Sequence, residues 1–164
     1  MYLVADASTD AAAPAASAGS APSLRVAPAS VTYLRFDVSA LPAGMVVEQA
    51  TLRVRPLRVL AAGAVAAHVV SAEWQEDTLA HERRPAWDDA AIALQQVGEE
   101  SADGRDVTFG VRAAVAAWLA GTANHGLALV GDGLADVDLA SKENQSVSAP
   151  PRLEVVLVPA PDAP

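Results

Sequence analysis

The 164-residue chain contains no cysteine. That absence excludes disulfides, thiolate metal sites and cysteine nucleophiles, and it leaves the redox compartment open. Aromatic residues are scarce, with three Trp, two Tyr and two Phe, so the core is expected to be aliphatic, β-rich and filled mainly by Val and Leu. No run approaches the roughly 18 apolar residues of a membrane span, so membrane insertion is not expected. The opening "MYLVADASTD" lacks the basic and long apolar regions of a signal peptide. A surface or extracellular location is therefore expected only as part of a larger protein or assembly. Positive charge is also in short supply: 11 Lys+Arg stand against 20 Asp+Glu, a net charge of -9. A nucleic-acid partner, which needs clustered positive charge, is not expected.

What positive charge there is has a distinctive distribution. Residues 1–60 hold five arginines against four acids, a balance of +1, whereas residues 61–164 hold six bases against sixteen acids, a balance of -10. Every base in the first part is an arginine.

The length suits one domain with a real core, expected over residues 1–158. The Ala/Pro/Ser/Gly-rich segment 11–22, "AAAPAASAGSAP", reads as a long surface loop, and 159–164 as a Pro/Ala-rich tail. Between them, strand patterns recur at short spacing. In "VTYLRFDVS", Thr32, Leu34, Phe36 and Val38 alternate with Tyr33, Arg35 and Asp37. "ATLRVRPLRV" alternates until Pro56, which has no N–H for a ladder and marks an edge, bulge or strand end. Counting "SLRVA", "GAVAAHVVSA", "DVTFGV", "GLALVGD", "VDLASKE", "PRLEVVLV" and a first strand near Tyr2–Ala5, the total is about nine, which predicts an all-β, antiparallel, jelly-roll-like sandwich. The stretch from Gln75 to Gly104 reads as polar and irregular. One helix is predicted over 112–120: Val111, Ala114, Val115, Trp118 and Leu119 form an apolar stripe, and Gly121 is placed to stop it.

The fragments "ADA", "SLRVAP", "TYLRFDVSALPAG", "ATLRV", "AEWQEDTLAHERRPAW", "VTFGVRAAVAAWLAGTANHGLAL", "LASKE" and "PPRLEVVLV" occur in an order that resembles the DNRLRE-domain family and related carbohydrate-binding modules, alginate binders among them. The resemblance covers roughly Leu3 to Val158. It implies a β-sandwich found as a non-catalytic module of large secreted or surface bacterial proteins. In the alginate-binding branch it points to basic residues on the sandwich surface, matched here by Arg25 and Arg35. The chain departs from the family where "TLAHERRPAW" replaces a more usual "TVTWNNRPA".

Candidate sites follow from residue chemistry. Alternation puts Arg35, Arg53 and Arg55 on polar strand faces, where guanidinium groups on adjacent strands would grip a carboxylated or sulfated chain. The competing reading pairs them with acids such as Asp37 and Glu48 as solvated charges. Trp74 and Trp118 are expected in the core, and Trp87 in a polar loop, partly exposed, as a weak sugar platform or a loop anchor. His68, His81 and His125 share no metal spacing. A hydrolytic set of His125, Asp132 and Ser141 can be drawn, but nothing in the spacing calls for it, and no catalysis is expected. Asp6, Asp132, Asp136 and Asp138 offer hard oxygen donors for a structural Ca²⁺. Two functions stay open: recognition of an acidic polysaccharide through Arg25, Arg35, Arg53, Arg55 and Trp87, or protein contacts as a structural or adhesive module of a surface fibre, appendage or virion-like particle.

Overall fold

In a computed structural model, which describes residues 1–160, the alternating segments fold into eleven strands and one helix. The strands are β1 (Tyr2–Asp10), β2 (Ser23–Val26), β3 (Ser30–Asp37), β4 (Met45–Val54), β5 (Pro56–Ala61), β6 (Gly63–Val69), β7 (Ala93–Val97), β8 (Val107–Gly110), β9 (Leu127–Asp132), β10 (Asp136–Ala140) and β11 (Arg152–Pro159). Helix α1 (Arg112–Leu119) lies between β8 and β9. The count exceeds the expected nine for two reasons. Pro56 splits "ATLRVRPLRV" into β4 and β5, and "ALQQV" inside the stretch read as irregular forms β7. From residue 161 the predicted tail lies outside the described residues.

Three antiparallel sheets make an all-β sandwich, in the orders β1-β3-β9-β6-β7, β2-β10-β5 and β11-β4-β8. The β4–β5 run passes from one three-stranded sheet to the other at Arg55, whose carbonyl accepts the Ala140 amide at 2.9 Å. Inward residues of both three-stranded sheets, among them Leu24, Val26, Leu52, Val54, Phe109, Val137 and Leu153, share one core with Leu34, Phe36, Val65, Leu127 and Leu129 of the five-stranded sheet. Each side chain so buried contributes about 1.5 to 3 kcal/mol relative to exposure.

The five-stranded sheet is buried on its other face as well. There Ala5, Ala7, Val31, Tyr33 and Ala128 form a second cluster with Val70, Trp74 and Leu79, with Trp87 packed against it. The alanines leave the recess that large side chains from the 70–92 connection fill. Tyr33, on the face of β3 read as polar, is therefore fully buried and donates its hydroxyl to the Pro85 carbonyl at 3.1 Å.

The helix closes the sandwich beside β4. Ala114, Val115 and Trp118 are buried, and Arg112 Nε donates to the Val47 carbonyl. Its end is set by Gly121 at φ +103°, with Gly121 N–H bonded to the Trp118 carbonyl and Thr122 N–H to that of Ala117, the pairing of a Schellman stop. The following turn is architectural. Asn124 bridges Gly126 N–H and the Phe36 carbonyl, and Gly126 sits at φ +91°, where a Cβ would lie 2.2 Å from Leu34 O.

Candidate functional site

The covering segment after β6 begins where the chain leaves the sheet at Val70, paired to Trp87 by an isolated bridge. Between these two points lies "SAEWQEDTLAHERRPA", whose apolar side chains are too few for a second core but enough to anchor it. Trp74 is 6% exposed and donates Nε1–H to the His125 carbonyl at 2.8 Å. Tyr33 stands between the two tryptophans, its ring centre 5.8 Å from Trp74 and 6.2 Å from Trp87. Anchored there, the polar residues between are left facing solvent around an open cleft of about 430 Å³, lined by Arg35, Glu73, Trp74, Gln75, Thr78, Leu79 and Arg83.

Arg35 reaches this cleft from β3. Its guanidinium lies 5.5 Å from the centre of the Trp74 ring and gives one N–H to the Trp74 carbonyl at 3.1 Å. Stacking and that bond fix the plane of the group while leaving its other donors unspent. Among the described residues Arg35 has no carboxylate partner within ion-pair distance. Arg83 faces the same cleft, with an exposed side chain paired, among the described residues, only to neighbouring Glu82 at 3.0 Å. With Glu82 neutralising Arg83 and Glu73 on the opposite wall, Arg35 is the guanidinium of the cleft that no carboxylate holds among the described residues.

The other predicted arginines lie elsewhere and are engaged. Arg25 on β2 grips Asp136 of β10 through two bonds of 3.0 and 2.8 Å, and Arg58 on β5 takes Asp138 from the other side of β10. Arg53 on β4 pairs with Glu154 of β11 at 2.7 Å, and Arg55 shares Asp106 with Arg152 at 2.8 and 2.9 Å. These pairs lie on the outward side of the two three-stranded sheets; the exposed ones, Arg25–Asp136, Arg53–Glu154 and Arg58–Asp138, are screened by water and stabilise little, whereas Arg55 and Asp106 are partly buried. The expected stripe of Arg35, Arg53 and Arg55 does not form. The connection after β3 carries β4 to the opposite layer, so Arg35 and Arg53 face opposite sides of the sandwich. Asp37, offered as a partner, accepts the Ser39 amide instead.

Trp87 is half-buried, packed edge-on to Tyr33 and 6.4 Å from His68. It lines a neighbouring cleft of about 380 Å³ with His81, Arg84 and Asp89. Arg83 was missed in the sequence because nothing periodic marks it. The departure of "HERRPAW" from the family's usual pattern was the available signal.

The four acids considered for calcium do not meet. Asp136 and Asp138 are held by Arg25 and Arg58, and Asp132 ends β9 across from Ala64 of β6. Asp6 belongs to a different group: one carboxylate oxygen each of Asp6, Glu76 and Glu143 lie within 4.8 Å of one another. Lys142 stands among them, with Nζ 3.1 Å from Asp6 and 3.0 Å from Glu143 and bonded also to Glu76. A cation of the chain's own thus stands among these donors. Burial pushes the Asp6 carboxyl above its ordinary range, against the opposing pull of hydrogen bonds from Lys142. The drawn hydrolytic set does not converge either: Ser141 is buried and gives its hydroxyl to the Ala21 carbonyl at 2.7 Å.

The structure is thus an antiparallel β-sandwich carrying an open polar cleft on the covered face of its five-stranded sheet. The chain belongs to carbohydrate-binding module family 96, whose family model matches residues 1–156. Such a family is typically non-catalytic, and it makes carbohydrate the partner class. The match supports the carbohydrate-binding side of the sequence resemblance and carries neither the DNRLRE name nor an alginate ligand. No curated protein matches the chain, and no helix among the described residues is long and apolar enough to cross a membrane.

Proposed function

We propose that this module recognises an acidic polysaccharide in the cleft between Arg35 and Arg83. The observation that carries the reading is the state of Arg35: stacked on Trp74, oriented by a backbone carbonyl, and free of any carboxylate among the described residues. A pre-oriented guanidinium with unspent donors suits a uronate carboxylate or a sulfate, which it can hold by two parallel bonds. Gln75 and Thr78 supply neutral hydrogen-bonding groups for sugar hydroxyls. The net charge of -9 acts weakly beyond about 8 Å at physiological ionic strength, so the groups lining the cleft, Arg35 first, decide the encounter. Such a role suits a module carried at a bacterial surface or in a secreted protein.

Affinity electrophoresis in gels containing alginate, pectin or a neutral glucan tests this reading. Retardation by an acidic polymer and not by the glucan is expected, and Arg35→Ala weakens it by about 10 to 100-fold, the equivalent of a charge-assisted hydrogen bond. Equal retardation by the glucan, or an Arg35→Ala variant that binds as well as the parent, sinks it.

One observation favours the second reading, protein contacts in a surface assembly. Strand β1 edges the five-stranded sheet, and Tyr2 is 86% and Val4 47% exposed there, the kind of apolar edge that pairs with another chain. Sedimentation that shows oligomers abolished by Tyr2→Lys would support it, and a monomer at every concentration would remove it.

A further inference from the structure

The chain holds ten arginines and a single lysine, Lys142. That lysine stands where a compact, rotatable ammonium is the fitting cation: three carboxylates converge on it from three separate parts of the fold. A flat guanidinium presents its donors in a plane and suits two parallel acceptors better than three convergent ones. Asp6 comes from edge strand β1 and is fully buried, Glu143 follows β10, and Glu76 belongs to the covering segment on the far face of the five-stranded sheet.

Glu76 is held from every side. Its carboxylate accepts the Asp6 backbone N–H at 3.2 Å, a donor of the sheet edge, as well as the Lys142 ammonium. Its carbonyl accepts the Ser17 hydroxyl at 3.3 Å, and Gly19 packs so closely on it that a Cβ there would lie 2.3 Å from Glu76 O. The residues on either side of Glu76, namely Trp74, Gln75, Thr78 and Leu79, form one wall of the cleft. Trp74 and Leu79 anchor the two ends of that wall in the second core cluster, while the polar stretch between them, residues 75–78, has no apolar anchor and depends on what pins Glu76.

We propose that Lys142 is a positioning residue for the cleft: its ammonium clamps Glu76 to the β1 edge and so sets the wall that faces Arg35. The inference rests on the cleft being the ligand site. Without the ammonium, three carboxylates repel one another at the edge, and Glu76 swings out with the segment that bears it.

Hydrogen exchange of the 73–79 amides, measured together with affinity for the acidic polymer at a temperature well below melting, tests the clamp in two variants. Lys142→Met removes the charge and keeps the length of the side chain. Glu76→Ala leaves the buried Asp6 paired with Lys142, so it keeps the fold if Lys142→Met does not. In both, exchange of residues 73–79 is expected to rise while that of β6 and β9 stays as in the parent, and affinity is expected to fall by about tenfold. Unchanged exchange at 73–79 in Glu76→Ala overturns the clamp. Faster exchange with unchanged affinity overturns the positioning role while the clamp itself stands. A parent chain that binds no acidic polymer overturns the ligand reading, and the positioning role with it, and is told apart by the exchange data, which need no ligand.

Discussion

The two outward faces of this sandwich use arginine in opposite ways. On the three-stranded sheets Arg25, Arg53, Arg55 and Arg58 each meet an Asp or Glu on a neighbouring strand or loop, and their donors are spent on the protein's own carboxylates. On the covered face of the five-stranded sheet Arg35 meets an indole ring and a carbonyl oxygen. The difference teaches that residue type and strand alternation do not assign a role to a charged side chain. The partner does, and the partner is a matter of which layer the strand joins.

The largest test of that comparison removes the surface that Arg35 stands on. Trp74→Ala should cost about 3 to 5 kcal/mol, as for other buried aromatics, lowering the melting temperature by roughly 10 °C in a scanning calorimetry comparison, and should abolish polymer binding in what remains folded. A smaller effect is expected from acid. Because burial raises the Asp6 carboxyl above its ordinary 3.8, the folded chain keeps that proton to higher pH than the unfolded chain does. The group's contribution to stability is therefore full below the ordinary value and lost as pH rises through the raised one. Urea unfolding from about pH 7 down to about pH 4 should show the parent gaining stability relative to Asp6→Asn as pH falls; a parent that loses ground to the variant would reverse the assignment. Smallest of all, Arg25→Ala and Arg53→Ala should leave polymer affinity within about twofold in the same gels, since each removes only a solvent-exposed pair on the opposite layer.

Much of the scaffold was legible because it is local. Period-two alternation marks β3 and β4, a β-branched run marks β6, and the stripe from Val111 to Leu119 with its stop glycine marks α1 to within a residue of its end. Trp74 and Trp118 were placed in the core by the segments around them, and both are 6% exposed. The covered second face was not legible. A segment with three large anchors spread over residues 74–87 has no period, and nothing local says that Ala5, Ala7 and Ala128 make room for it. The ion pairs were hidden for the same reason, since Arg25 and Asp136 are 111 residues apart and Lys142 and Asp6 are 136. Of the candidate binding residues, Arg35 and Trp87 lie on the covered face, and only Arg35 lines the cleft proposed as the ligand site.

The lone lysine has a practical side. Reagents that seek primary amines find one side chain in this protein, and it is the one buried to about two-thirds among Asp6, Glu76 and Glu143, with 30% of its surface open. Coupling the module to a sensor chip or a dye through amines would consume that ammonium wherever it does not take the chain terminus, and would leave three carboxylates without their cation. Thiol coupling at an introduced cysteine on the β11-β4-β8 face keeps the ammonium intact, and is the attachment chemistry suited to measuring what the cleft binds.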